Sequence, residues 1–396
     1  MPIHYDCLRI DAANVDIMTV DSTKKPAKIY SSMVELGKEL PVDVYSKSGF
    51  LLLKRGHYVL TPELKQKLIN MGFAEAKQEV KPVDKPNLND SKKHSLFEDI
   101  AFLQLRTRSV LYHALATPNL EAKVNEIVQA LLRLAEKYPN ALIASIFLVP
   151  FSEYSVAHSL HTAALLAILT RHIALPPRHR ETLICAALTM NVAQVELQNE
   201  LFSQQGGLND AQKQAIIDHP IMSSAILREA GIEDQLWHTL VQTHHESWDG
   251  AGYPFGLPKE QILPPAHMLH LADITCAKLL PRRYRSAQLP ATALGQIFQR
   301  KDTEFDQSFI TMLVKEMGIY PPGSFVRLET SEICVVIAPG PKPSEPLVAA
   351  IRKGDGPPYG EPLLRETHKP GLKVTGPCSA NEAKVRVSFL AHLWKC

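Results

Sequence analysis

Between residues 93 and 318 the chain is a succession of apolar-periodic segments cut by proline and glycine, a punctuation that suits a helical fold and little else. Leu120, Val124, Ile127, Val128, Leu131, Leu132 and Ala135 recur at spacings of three, four and seven. That spacing gives a helix with one apolar face, and Pro139 closes it. Residues 156–174 read as a second, apolar-rich helix. Further helices are predicted over 178–190, 209–230, 233–245, 264–280, 288–300 and 305–317. The breaks fall at 176–177, 206–207, 231, 250–258 and 318. The expectation is a mainly α chain, with one irregular loop at 247–258.

The flanks have a different texture. Residues 40–45 alternate apolar and polar, a turn-forming stretch follows at 46–49, and 50–53 are apolar, which reads as a β-hairpin. Thr61 followed by Pro62 marks a helix start, and Gly72 its end. Residues 1–80 are therefore predicted to form a small α+β module. Residues 81–92 are polar, hold two prolines and read as a linker. Beyond 318 the chain becomes proline-rich, with β-like runs at 333–337 and 384–390. The domain boundaries expected are 93–340 for the helical domain and 341–396 for a Pro-rich, β-containing tail.

Composition narrows the function classes. The 396 residues carry 43 Lys and Arg against 41 Asp and Glu, a net charge of +2, which exerts no global pull on nucleic acid or an anionic membrane. The longest apolar run, 141–151, is too short to span a bilayer. The first sixteen residues hold acids and no long apolar stretch, unlike a signal peptide. The six cysteines, at 7, 185, 276, 334, 378 and 396, are scattered, which argues against a disulfide framework and for a reducing compartment. The expectation is a cytoplasmic protein with no membrane span and no nucleic-acid polymer as partner.

Histidine placement carries the chemical signal. His158 and His161 are three apart on one predicted helix and share a face. His219 precedes Pro220 near a predicted helix start. His244, His245 and Glu246 end a helix just before a Gly-rich loop, and Asp273 lies in an apolar helix. A lone helical histidine is usually an ordinary core or surface residue, as expected for His94, His113, His172, His179 and His267. Asp273 is less ordinary, because a buried carboxylate is costly without a partner. Imidazoles with a carboxylate suit Fe, Mn, Zn or Ni.

Residues 158–340 resemble the HD-GYP family, a helical subclass of the HD metal-dependent phosphohydrolases. The resemblance rests on His158-Ser159, His219-Pro220, the run from His244 to Pro254 (His-His-Glu-Ser-Trp-Asp-Gly-Ala-Gly-Tyr-Pro) and Ala272-Asp273. Arg282 to Arg285 and the stretch 320–326 extend it. It implies a bundle holding two or three metals that activate a water to hydrolyse cyclic di-GMP. It implies metal ligation by His158, His219, His244, His245 and Asp273, and phosphate contacts from Arg282 and Arg285. It also implies that the loop bearing Trp248, Asp249, Gly250, Gly252, Tyr253 and Pro254 contributes to protein contacts, notably with diguanylate cyclase domains.

The name-giving His-Asp pair of that family is absent. In the matching run Met190 stands for the His, Asn191 for the Asp and Gln194 for the Lys. A thioether is a poor ligand for Fe(II) or Mn(II), and a neutral amide oxygen is a weak bridge between two cations that repel each other. Where trinuclear members place an extra Glu, this chain has Tyr154, with Glu153 one residue out of phase. The resemblance, so modified, implies zero or one divalent metal and lost or weak hydrolysis. Three readings follow: a regulator in cyclic di-GMP signalling acting by nucleotide sensing or protein contacts, a one-metal phosphodiesterase using the three remaining His, and a purely structural helical module. A homodimer is compatible with each.

Overall fold

The computed structural model describes residues 26–29, 31–45, 51–53, 55–57, 59, 61–75, 96–280, 289–300 and 304–394. The chain divides into two compact units, residues 1–91 and 92–396. The predicted hairpin turn at 46–49 and the linker at 81–92 lie outside the described residues.

In the first unit, strands β1 (Pro26–Lys28), β2 (Val44–Tyr45), β3 (Leu51–Leu53) and β4 (Phe73–Glu75) form an antiparallel sheet in the order β1-β4-β2-β3. Helix α1 (Pro62–Met71) begins where the sequence indicates: the Thr61 hydroxyl accepts the Leu64 N–H at 3.1 Å, and Pro62 occupies the first turn. Gly72 ends it. A Cβ there would lie 2.4 Å from the Leu68 carbonyl and 2.6 Å from Val44 Cγ1, so only glycine lets strand and helix approach this closely. Ile29, Val34, Leu40, Val44, Val59 and Leu68 make the small core.

The second unit is mainly helical. Helices α2 (Leu96–Tyr112), α3 (Leu120–Lys137), α4 (Pro139–Leu148), α5 (Tyr154–Leu169), α6 (Pro177–Thr189), α7 (Val195–Ser203), α8 (Asp210–Glu229) and α9 (Gln235–Thr243) lead to the irregular loop. Then come α10 (Pro264–Leu279), α11 (Pro290–Phe298) and α12 (Gln307–Met317). Every residue of α5 is buried, which is why its sequence shows no polar face. It is the central helix, with α2, α3, α6, α7 and α10 packed around it.

Strands β5 (Phe325–Leu328), β6 (Glu332–Ala338), β7 (Leu347–Lys353), β8 (Pro358–Glu366) and β9 (Val374–Cys378) form an antiparallel sheet ordered β8-β7-β6-β5-β9. The short helices α13 (Ala380–Ala383) and α14 (Val387–Leu390) follow it. Part of the sheet shares the helical core through Phe325, Ile333, Val335, Ala349 and Ile351.

Three expectations need correction. His219 sits in the middle of α8, and Pro220 is accommodated inside that helix instead of opening it. The run 384–390 is not a strand, because a Ser379–Glu382 capping box starts α13 and α14 follows. The second apolar helix ends at Leu169, before a 3₁₀ turn at Thr170–His172.

Candidate metal centre

Four elements converge on one buried cluster. His158 comes from α5, His219 from α8, His244 and His245 from the end of α9, and Asp273 from α10. The ligand atoms of His219, His244 and His245 all lie within 4.8 Å of one another. Their rings pack at centroid distances of 5.1, 5.1 and 4.1 Å. His158 Nε2 donates to Asp273 Oδ1 at 2.7 Å, and the other carboxylate oxygen lies 3.9 Å from His245 Nδ1. The structure thus brings all five predicted ligands together.

The charge states suit ligation. Burial pushes His219 down to about 3 and His244 down to about 4, and burial with the His244 charge holds His245 well below the usual imidazole value. All three are neutral at pH 7, with a lone pair to offer. Burial alone would raise Asp273, but the hydrogen bond and charge of His158, with His245 and His244, outweigh it and keep the carboxyl well below the ordinary range.

The hydrogen bonds choose which nitrogen is free. His219 Nδ1 donates to the Ile216 carbonyl at 2.6 Å, and His244 Nδ1 donates to the Val241 carbonyl at 2.7 Å. Both Nε2 atoms are therefore acceptors, and they face each other across 3.2 Å. Two acceptors at that distance have no proton to share. Two nitrogens bound tetrahedrally to one ion at about 2.0–2.1 Å would sit about 3.3 Å apart. The donor set therefore fits a single cation, held by His219, His244 and His245. Such an ion would supply Lewis-acid charge and a water of lowered pKa. His158 Nε2 is engaged by Asp273 Oδ1, and Tyr154 stacks on His158 at 5.5 Å and 8°.

The substituted positions are closed. Met190 is fully buried in the apolar core. Asn191 and Gln194 are buried, and Gln194 Nε2 donates to Asn191 Oδ1 at 2.8 Å. Glu153 points elsewhere: both its oxygens accept from Arg108 Nε, at 3.0 and 3.1 Å. Arg282 and Arg285 lie outside the described residues.

The loop after α9 is built on Glu246, which motif reading quoted without assigning it a role. Its buried carboxylate accepts the N–H groups of Phe255 and Leu257, both at 2.8 Å. Gly252 fits where a Cβ would come within 2.4 Å of Ser247 N and 2.6 Å of the His245 carbonyl. Gly250 takes φ +71° and Asp249 Oδ1 accepts the Ala251 N–H at 3.0 Å. The Tyr253–Pro254 bond is cis. Tyr253 stacks on His245 at 4.5 Å and 22°. Trp248 is held between the His267 ring, at 4.3 Å, and the Lys259 ammonium, at 3.7 Å. His270 was also missed: its Nδ1 donates to the His244 carbonyl at 2.9 Å. Its spacing of three from both His267 and Asp273 was the available signal.

Comparison with known proteins agrees with this geometry. The HD domain family matches residues 129–309. Over 225 residues the chain is 32% identical to a cyclic di-GMP phosphodiesterase, PA4108, of Pseudomonas aeruginosa, which takes in 57% of this chain and 53% of that protein. It is 23% identical over 186 residues to the cyclic di-GMP phosphodiesterase PdeB of Borreliella burgdorferi, covering 47% of this chain and 49% of that one. A 3'3'-cGAMP-specific phosphodiesterase 3 of Vibrio cholerae matches at 27% over 170 residues, 43% of this chain and 37% of the relative. The chain thus spans about half the length, or less, of these relatives. Among solved structures, Bd1817, an HDGYP protein of Bdellovibrio bacteriovorus, shares the fold at a TM-score of 0.50 and 15% identity, over 74% of this chain and 99% of that one. No helix among the described residues is long and apolar enough to cross a membrane. The converging histidines, the helical fold and these matches together show an HD domain over residues 129–309 that resembles those of the HD-GYP family.

Proposed function

We propose that this chain is a degenerate HD-GYP module that binds at most one divalent cation and works in cyclic di-GMP signalling by nucleotide sensing or protein contact, with hydrolysis lost or weak. The observation that carries this reading is the Asn191–Gln194 hydrogen bond. The only side-chain oxygen that position 191 offers to a second ion already accepts from a neutral amide, and no charge there offsets the repulsion between two cations. The named activity of the relatives supports cyclic di-GMP as the ligand. Elemental analysis of anaerobically prepared protein, with a cyclic di-GMP hydrolysis assay in added Fe(II) or Mn(II), tests it. The expected result is no more than one ion per chain and negligible turnover. Two ions with brisk turnover would overturn it.

A second reading is favoured by the three neutral imidazoles: a phosphodiesterase running on one ion. Its signature is measurable hydrolysis that His244→Ala abolishes. Calorimetric titration with cyclic di-GMP separates nucleotide sensing and one-ion hydrolysis from a purely structural module, which would show no heat of binding.

A further inference from the structure

We propose that Pro220 is a positioning residue for His219: by removing one backbone N–H from the middle of α8, it supplies the carbonyl that fixes the tautomer and aim of the imidazole. The inference rests on the one-ion reading of the three-histidine centre.

In an unbroken helix the Ile216 carbonyl would accept the N–H of residue 220, four positions on. Residue 220 is proline, has no N–H, and lies inside the 20-residue helix Asp210–Glu229. The pyrrolidine ring also crowds the carbonyl four residues back and turns it outward. The freed oxygen does not stay idle, since His219 Nδ1 occupies it at 2.6 Å. That bond places the proton on Nδ1 and leaves the Nε2 lone pair facing His244 Nε2 at 3.2 Å.

The neighbouring histidine reaches the same state by another route. His244 Nδ1 also donates to the carbonyl three residues before it, that of Val241. There the carbonyl belongs to the last turn of α9, which ends at Thr243 and leaves its final carbonyls without helical partners. One imidazole uses a helix end. The other lies mid-helix, where without the proline the Ile216 carbonyl would be shared with a helical N–H. Histidine ligands depend on such a partner for the second ring nitrogen, and losing it typically costs 10- to 100-fold in metal affinity.

The test is Pro220→Ala in the full chain. Alanine favours the helix, so the element should persist, and far-UV circular dichroism checks that. Its N–H competes for the Ile216 carbonyl. In metal-free protein, imidazole ¹H–¹⁵N correlation spectra should show His219 as the Nδ1–H tautomer in the parent and a substantial Nε2–H population in the variant. His219→Ala identifies the signals. Titration with Zn(II) should show affinity lower by about 10-fold or more. An unchanged tautomer in the variant overturns the proposal, whether or not affinity falls, because the proline would then act on structure alone. A changed tautomer with unchanged affinity overturns it too. If the parent takes up no metal yet the tautomer shifts as expected, the one-ion reading fails while the assignment of Pro220 to His219 stands.

Discussion

At the scale of single residues, the centre is defined by which atoms are already engaged. Asn191 Oδ1 is engaged by Gln194 Nε2 and His158 Nε2 by Asp273 Oδ1, while the Nε2 atoms of His219 and His244 face one another unpaired. Replacing Met190 by His and Asn191 by Asp should therefore raise metal content from at most one ion per chain to two. Elemental analysis reads this directly, and a variant still holding one ion or none would contradict it. The same burial makes stability pH-dependent. An unfolded imidazole titrates near 6.5, whereas burial holds His161 and His219 at about 3 and His267 and His244 at about 4. Between these values the unfolded chain binds protons that the folded chain refuses. Stability is thus fully present above pH 6.5 and falls as pH drops toward 4, by up to about 1.4 kcal/mol per pH unit for each such histidine. Urea midpoints in the presence of a chelator should decline steadily from pH 7 to 5, and a flat profile would refute the assignment.

At the scale of elements, the loop after α9 depends on one carboxylate. Glu246→Ala would leave the half-buried Phe255 and Leu257 N–H groups without their carboxylate acceptor and should cost about 2 kcal/mol. Hydrogen exchange would then accelerate at the Phe255 and Leu257 amides, and unchanged protection would sink the idea. Most elements were legible in the sequence, because periodic apolar positions and Pro or Gly breaks are local signals. Thr61 with Pro62 marked α1 without reference to anything distant. The misreadings were also local rules overridden. A proline reads as a helix start, yet α8 tolerates Pro220 because a side chain takes over the freed carbonyl. The alternation at 384–390 resembles a strand, but the Ser379–Glu382 capping box prevails nearby. The site was legible as a set of residue types from its motifs. Its proton positions and occupied oxygens were not, since they depend on contacts such as His158 with Asp273, 115 residues apart.

At the scale of the whole molecule, the helical unit is closed by its own ends. Trp394 is buried, lies 5.8 Å from the Phe97 ring, and donates its Nε1–H to the Ile337 carbonyl at 3.1 Å. Both aromatic side chains belong to the same core as α5. Trp394→Ala should cost about 3 kcal/mol and lower the single cooperative transition of this unit. A calorimetric trace in which only a minor early step moved would argue that the C-terminal elements melt separately. The Phe97–Trp394 contact has a topological corollary. Because the two extremities of the unit are neighbours, the order in which its segments are strung is separable from the shape they take. Splicing residue 394 to residue 96 through a short linker, and opening the chain at the exposed Gly206–Gly207 loop, would rearrange the reading order of the polypeptide while leaving the histidine cluster assembled.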